Sequence, residues 1–166
     1  MINCTYYKSP IGKIFLFSKE NKLIRASFEG QKYFLANINE KIIQEENETL
    51  IKTKNWLDDY FIGNEPSVDK LDLNPVGTEF RQEVWKILCE IQYGQTVTYK
   101  DIALQIAKKR GMKKMSAQAV GGAVSHNPIA IIIPCHRVIG SDGSLTGYAG
   151  GIDKKLFLLK HENPYF

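Results

Sequence analysis

Residues 98–125 read TYKDIALQIAKKRGMKKMSAQAVGGAVS. Thr98 is placed to cap a helix that carries Tyr99, Ile102, Ala103 and Ile106 at helical spacing. Ser116 is placed to cap a second, shorter helix, AQAVGGAVS, which His126-Asn127-Pro128 ends. Between them lies KKRGMKK, residues 108–114, with five positive charges in seven residues. Two helices joined by a loop resemble a helix-turn-helix, although this loop exceeds the usual turn of about 3–4 residues. The small residues Ala117, Ala119, Gly121, Gly122 and Ala123 let the second helix lie close to another surface. That surface is either an external partner or a neighbouring helix in a core, and the pattern fits both.

Upstream, Thr78 is the expected cap of a helix bearing Phe80, Val84, Trp85, Leu88 and Ile91, with Glu79 in the first turn where the dipole favours an acid. YGQT at 93–96 reads as a turn. Further upstream the pattern changes. Residues 11–17 (IGKIFLF) and 20–28 (ENKLIRASF), separated by a polar break at Ser18-Lys19-Glu20-Asn21, predict an antiparallel hairpin. Residues 48–62 predict a helix that Gly63 stops, and GNEPSVDKLDLNPVG reads as a linker. Downstream, IAIIIP predicts a buried extended segment, SDGS at 141–144 a turn, and GYAGG at 147–151 a flexible loop. A last helix is expected from about Asp153 to Glu162. The chain thus divides into an N-terminal α/β domain, 1–75, and a mainly helical C-terminal domain, 76–166.

The 166 residues are 43% hydrophobic, enough for a packed core, which excludes a disordered chain. No apolar run approaches the ~18 residues of a membrane span, and MINCTYYKSP lacks the layout of a secretory signal. Cys4, Cys89 and Cys135 are odd in number and widely spaced. They predict no disulfide framework and a reduced, cytoplasmic protein. No Cys/His spacing suggests a metal. Residues 1–75 carry 10 Lys/Arg against 11 Asp/Glu, and residues 76–166 carry 12 against 7. The excess of positive charge lies in the C-terminal half, as for a polyanion-binding surface, though a solvated lysine-rich face would look the same.

IIIPCHRVIG, residues 131–140, runs an apolar segment into a thiol, an imidazole and a guanidinium. On an extended chain, neighbouring side chains point to opposite sides, so a water is expected to bridge Cys135 and His136. The thiolate is the nucleophilic form, and a histidine steadied by a carboxylate can take its proton. Glu162 is the carboxylate at hand. A free cysteine is also commonly an inert apolar filler, and Cys4 and Cys89 are read that way. A Cys-His protease is the other catalytic option, but its nucleophile usually opens a helix after a glycine-rich stretch.

Pro134-Cys135-His136-Arg137-Val138 resembles the active-site motif of the O6-alkylguanine-DNA alkyltransferases. Gly77-Thr78-Glu79-Phe80, Val84-Trp85, Tyr93-Gly94, Thr98-Tyr99, Ala119-Val120-Gly121-Gly122-Ala123, Asn127-Pro128, Gly147-Tyr148 and Leu158-Leu159-Lys160-His161-Glu162 match the same family, as does Ser9-Pro10-Ile11-Gly12. The resemblance implies an α+β fold. A small antiparallel-sheet, ribonuclease H-like domain would precede a helical domain with a winged helix-turn-helix. It implies DNA repair by direct reversal. The protein would flip an O6-alkylguanine out of double-stranded DNA and keep the alkyl group on Cys135, once per molecule. His136 would be the base acting through water, Glu162 its orienting partner, and Asn127 a brace. Tyr99 would crowd the phosphate of the flipped nucleotide and protonate the departing guanine. Pro134, Val138, Tyr148, Ala149 and Gly150 would line the base pocket, with room for bulkier alkyl groups. Tyr99, Lys100, Ser116, Gln118, Ala119, Gly121, Gly122 and Ser141 would meet DNA. Arg137 would be structural. The implied protein is a monomer without cofactor or metal.

The chain departs from the pattern in places. Gln118 stands where many members carry an arginine that fills the gap left by the flipped base. A neutral amide there implies a weaker wedge that still hydrogen-bonds the orphaned base. The loop at 108–114 is longer than is common in the family, and its charges are expected to add phosphate contacts. The alkyltransferase-like proteins, which bind alkylated bases, lack the acceptor cysteine that stands here at Cys135. A helix-turn-helix regulator would leave that cysteine unused.

Overall fold

Glu20 and Asn21 sit at φ 51° and 63°, the two left-handed residues of a tight hairpin turn. They fold β2 (Gly12–Lys19) back on β3 (Lys22–Phe28), with Lys19 opposite Lys22. The polar break is therefore only Glu20-Asn21, and Ser18 and Lys19 stay in the strand. The computed structural model describes residues 1–36 and 38–166. A further strand, β1 (Ile2–Ser9), pairs antiparallel with β2, and the short β4 (Ile42–Ile43) pairs parallel with β1, giving the order β3-β2-β1-β4.

Alternation along the strands gives the sheet two buried faces. Ile2, Cys4, Phe17 and Ile24 cluster on one, covered by Phe34 and Ile38. Arg25 holds the covering segment by donating to the carbonyls of Tyr33, Phe34 and Ala36. Helix α1 (Glu48–Phe61) packs against β1, β2 and β3, and buries Leu50, Trp56, Leu57 and Tyr60. Asn47 caps α1 at Leu50 N and also donates to Ser18 Oγ at 2.8 Å, tying helix to sheet. The Tyr7 hydroxyl donates to Asp58 at 2.7 Å.

Two segments fall differently from their sequence patterns. Residues expected as linker run beside β3: Leu23 N donates to Asp72 O and Asn74 N to Leu23 O. IAIIIP is buried as expected, yet it forms no strand. Ile129 makes one parallel bridge with Ala26, and the chain then turns, with Ile131 at φ 68°. The apolar run is explained by burial alone. Together these pieces cover the outer edge of β3, which would otherwise present unpaired backbone groups. The chain accordingly divides into Met1–Val76 with Pro128–Ile132, and Gly77–Asn127 with Ile133–Phe166.

The second unit is built from helices α2 (Glu79–Cys89), α3 (Tyr99–Arg110), α4 (Ala117–Ser125) and α5 (Ile152–Glu162). Thr78, Thr98 and Ser116 cap the first three, and Thr98 forms a reciprocal capping box with Asp101. α4 packs on both α2 and α3. The Trp85 indole donates to Ala123 O at 2.9 Å. Gly77 lies flat against that indole, so a Cβ there would stand 2.3 Å from the ring. Strands β5 (Val97–Thr98) and β6 (Val138–Ile139) form a two-residue parallel pair beside the helices. The basic stretch 108–114 is not wholly a loop. Lys108, Lys109 and Arg110 form the last turn of α3, and Gly111, at φ 66°, ends it in the left-handed conformation that glycine adopts freely.

Candidate active site

Pro134, at φ −82° and ψ 64°, turns the chain out of the isoleucine run. Cys135–Arg137 then form one 3-10 turn, with Cys135 N donating to Ile133 O and Arg137 N to Pro134 O. The extended geometry expected from the sequence is therefore replaced by a tight turn. Val138 re-enters regular structure by pairing with Val97. Cys135 is 8% exposed and His136 fully buried.

Glu162, at the end of α5, collects the groups of this turn. His136 Nε2 lies 2.5 Å from its Oε2. Arg137 donates through Nε to Oε1 at 2.7 Å and through a terminal nitrogen to Oε2 at 3.1 Å. Gly94 N adds a bond to Oε1 at 3.1 Å. Arg137 also donates to Ile91 O at 2.6 Å. Burial opposes ionisation of Glu162, but the hydrogen bonds from His136 and Arg137 and the Arg137 charge outweigh it and hold the carboxyl well below its usual range. Burial lowers the pKa of His136, and Arg137 and Lys155 push the same way against the pull of Glu162. The ring is therefore neutral at neutral pH. Its Nδ1 is buried without a hydrogen-bond partner among the described residues.

Asn127, where α4 ends, donates to Ile133 O at 2.8 Å and hydrogen-bonds the Cys135 thiol. Burial raises the thiol pKa, while that bond and the charge of Lys155 lower it. Lys155 is missing from the sequence-based expectations. It is completely buried in α5, and burial lowers its own pKa. Its Nζ donates to Thr146 O at 3.0 Å and lies 5.9 Å from the Tyr99 ring centre. The Tyr99 hydroxyl donates to the same carbonyl at 2.9 Å. One signal was legible: Lys155, Leu158, Leu159 and Glu162 fall at i, i+3, i+4 and i+7, so the lysine stands on the buried stripe of its helix.

The structure thus brings Cys135, His136, Glu162, Asn127 and Tyr99 into one neighbourhood. Pro134 and Val138 are buried beside the turn, and Tyr148, Ala149 and Gly150 are half-buried in the loop before α5. Lys100, Ser116, Gln118, Ala119, Gly122 and Ser141 are exposed, and Gly121 is half-buried against the Tyr99 ring. Such an arrangement suits a nucleophilic thiol with a neutral base held by a carboxylate, and an adjoining face of small and polar side chains.

The sequence matches two family descriptions, "6-O-methylguanine DNA methyltransferase, ribonuclease-like domain" over residues 2–75 and "6-O-methylguanine DNA methyltransferase, DNA binding domain" over residues 79–164. A methylated-DNA–protein-cysteine methyltransferase of Methanosarcina barkeri is 50% identical over 93% of each chain. One from Haemophilus influenzae is 40% identical over 97% of this chain and 87% of its own. Among solved structures, Mycobacterium tuberculosis OGT in complex with DNA aligns with a TM-score of 0.82 and 37% identity, over 98% of this chain and 93% of that one.

Proposed function

Since this chain belongs to the 6-O-methylguanine DNA methyltransferase family, we propose that Cys135 is the residue that receives the alkyl group. The activity is direct-reversal DNA repair, in which an alkyl group passes from damaged DNA to a protein cysteine. DNA carrying the alkylated guanine is the partner. In the proposed step the Cys135 sulfur attacks the O6-alkyl carbon, a C–S bond forms and the C–O bond breaks. The thiol proton leaves toward the neutral His136, whose imidazolium Glu162 stabilises. The guanine departs with its electron pair and takes a proton from the Tyr99 hydroxyl, which must release Thr146 O to deliver it. Thioethers resist hydrolysis, so each molecule acts once.

One observation carries this reading: a buried thiol hydrogen-bonded by Asn127 stands next in the chain to a histidine bound at 2.5 Å to Glu162. The half-buried loop 148–150 with Pro134 and Val138 would take the base. Lys100, Ser116, Gln118, Ala119, Gly121, Gly122 and Ser141 would meet the duplex. Among the described residues no helix is long and apolar enough to cross a membrane. The three free cysteines support a reducing, cytoplasmic setting.

The test is intact mass and peptide mapping after mixing the protein with a duplex holding one O6-methylguanine. One methyl per chain on the Cys135 peptide, absent in Cys135→Ser, is the expected result. Binding of the damaged duplex with no mass gain would instead make this a reader of alkylated bases.

A further inference from the structure

No Asp or Glu occurs between Ile102 and Ser141, a stretch of 40 residues that holds six cations. Two of the six are already committed. Arg110 pairs with Glu83 on α2 and lies 5.6 Å from the Phe80 ring centre. Arg137 is bound to Glu162. The other four, Lys108, Lys109, Lys113 and Lys114, are exposed and make no salt bridge among the described residues. The sequence-based expectation that all five charges of the 108–114 stretch serve the same purpose is therefore corrected at Arg110, which anchors the stretch to α2.

The helix dipole accounts for Lys108 and Lys109, which sit in the last turn of α3 where cations are favoured. It does not account for Lys113 and Lys114, which lie beyond the Gly111 cap. The cap is closed: Met112 N donates to Ala107 O at 2.8 Å and Gly111 N to Lys108 O at 3.3 Å. The Ala107 and Lys108 carbonyls are thus taken by the cap and do not call for the two lysines. They lead instead straight into Ser116, the cap of α4, whose residues Ala117, Gln118 and Ala119 are exposed. Three peptide steps lead from Lys113 to Ser116, so their Cα atoms are at most ~10 Å apart. DNA presents one phosphate per strand about every 3.4 Å of axis. A duplex that meets the first turn of α4 therefore has phosphates within reach of both lysine side chains.

We infer that Lys108, Lys109, Lys113 and Lys114 form a second phosphate-binding surface, which grips the DNA backbone beside the part that α4 engages. Arg110 and Glu83 fix its base. It reads no sequence and does not take part in alkyl transfer. It raises affinity for any duplex, damaged or not, and makes that affinity steeply salt-dependent. This inference rests on the reading of α4 as the DNA-facing helix.

The experiment measures binding of a fluorescent undamaged duplex from 50 to 300 mM salt, roughly the range over which phosphate contacts dominate. Three proteins are compared: the wild type, a Lys108/Lys109/Lys113/Lys114→Ser variant, and a control with Lys8, Lys22, Lys41 and Lys70→Ser. The control lysines are also exposed and make no salt bridge among the described residues, but belong to the first unit. The slope of log affinity against log salt should flatten by about 0.9 for each phosphate that is no longer neutralised, up to about 3.6 for all four. The control should keep the wild-type slope. Circular dichroism and urea midpoints should match the wild type in both variants, which shows that both are folded. Intact binding with the wild-type slope in the 108–114 variant, or equal flattening in the control, would overturn this inference and leave the DNA reading standing. Absence of duplex binding by the wild type itself would overturn both.

Discussion

At the scale of single residues, the site divides into groups that sequence exposes and groups that only packing reveals. Cys135, His136 and Glu162 were singled out because Pro134–Val138 and Leu158–Glu162 resemble a family motif, while a free cysteine taken alone is commonly an inert filler. Lys155 was missed, since Asp153-Lys154-Lys155 reads as a solvated helix start and only its place on the stripe with Leu158, Leu159 and Glu162 points inward. A buried ammonium is costly, and its placement by Tyr99 and the thiol gives it a use. Its charge favours the Cys135 thiolate. Replacing it with methionine, which keeps the length and removes the charge, should slow methyl transfer about ten-fold at neutral pH, the equivalent of one pK unit on the thiol. The rising limb of rate against pH should move to higher pH. The check is single-turnover transfer from a saturating damaged duplex at several pH values. A slower rate with an unmoved profile would assign Lys155 to packing alone. Arg137 shows the reverse lesson: its expected structural role stands beside its bonds to Glu162 and Ile91 O.

Elements were most legible where their signals are local. Thr78, Thr98 and Ser116 cap their helices as expected, because a capping bond spans only three residues of chain. The hairpin was legible for the same reason. Elements decided by distant partners were not: IAIIIP folds as a buried turn because what it covers lies a hundred residues away. Gly77 belongs to this second class. It precedes α2, and its lack of a side chain lets the chain cross the face of the buried Trp85. Gly77→Ala puts a methyl group into that ring, which cannot swing aside while its nitrogen is bonded to Ala123 O. The substitution should cost about 1–3 kcal/mol, read as a lower urea midpoint, with methyl transfer by the surviving folded protein retained. A midpoint equal to wild type would show that α2 shifts freely.

For the whole molecule, the buried titratable groups set the pH range of stability. The folded pKa of His136 lies below its ordinary value near 6.5. Between the two, the unfolded chain binds a proton that the folded one refuses, so stability falls as pH drops below ~6.5. The folded pKa of Glu162 is also depressed. Its contribution is present above the ordinary carboxylate range near ~4.3 and is lost as pH falls toward the folded value. Cys135 is raised, so the unfolded chain gives up that proton first and stability declines above ~8.5. Urea midpoints should therefore fall as pH drops below about 6.5, while above about 8.5 the lowered pKa of Lys155, whose contribution grows toward the ordinary lysine value, opposes the loss at Cys135. A midpoint that rises from pH 7 to pH 5 would contradict this account. The two-part organisation was legible as a change from strand to helix patterning. The return of Pro128–Ile132 to the first unit was not, because nothing local in IAIIIP names β3 as its partner. That return has a consequence for how the protein is made. A ribosome delivers β3 early, yet the hydrogen bonds of Ala26 wait for Pro128 and Ala130. The part of the molecule whose first strand begins at Ile2 is finished only after residue 132 has emerged. By then α2, α3 and α4 have already been synthesised, so the unit translated first stays unfinished until three helices of the second have been made.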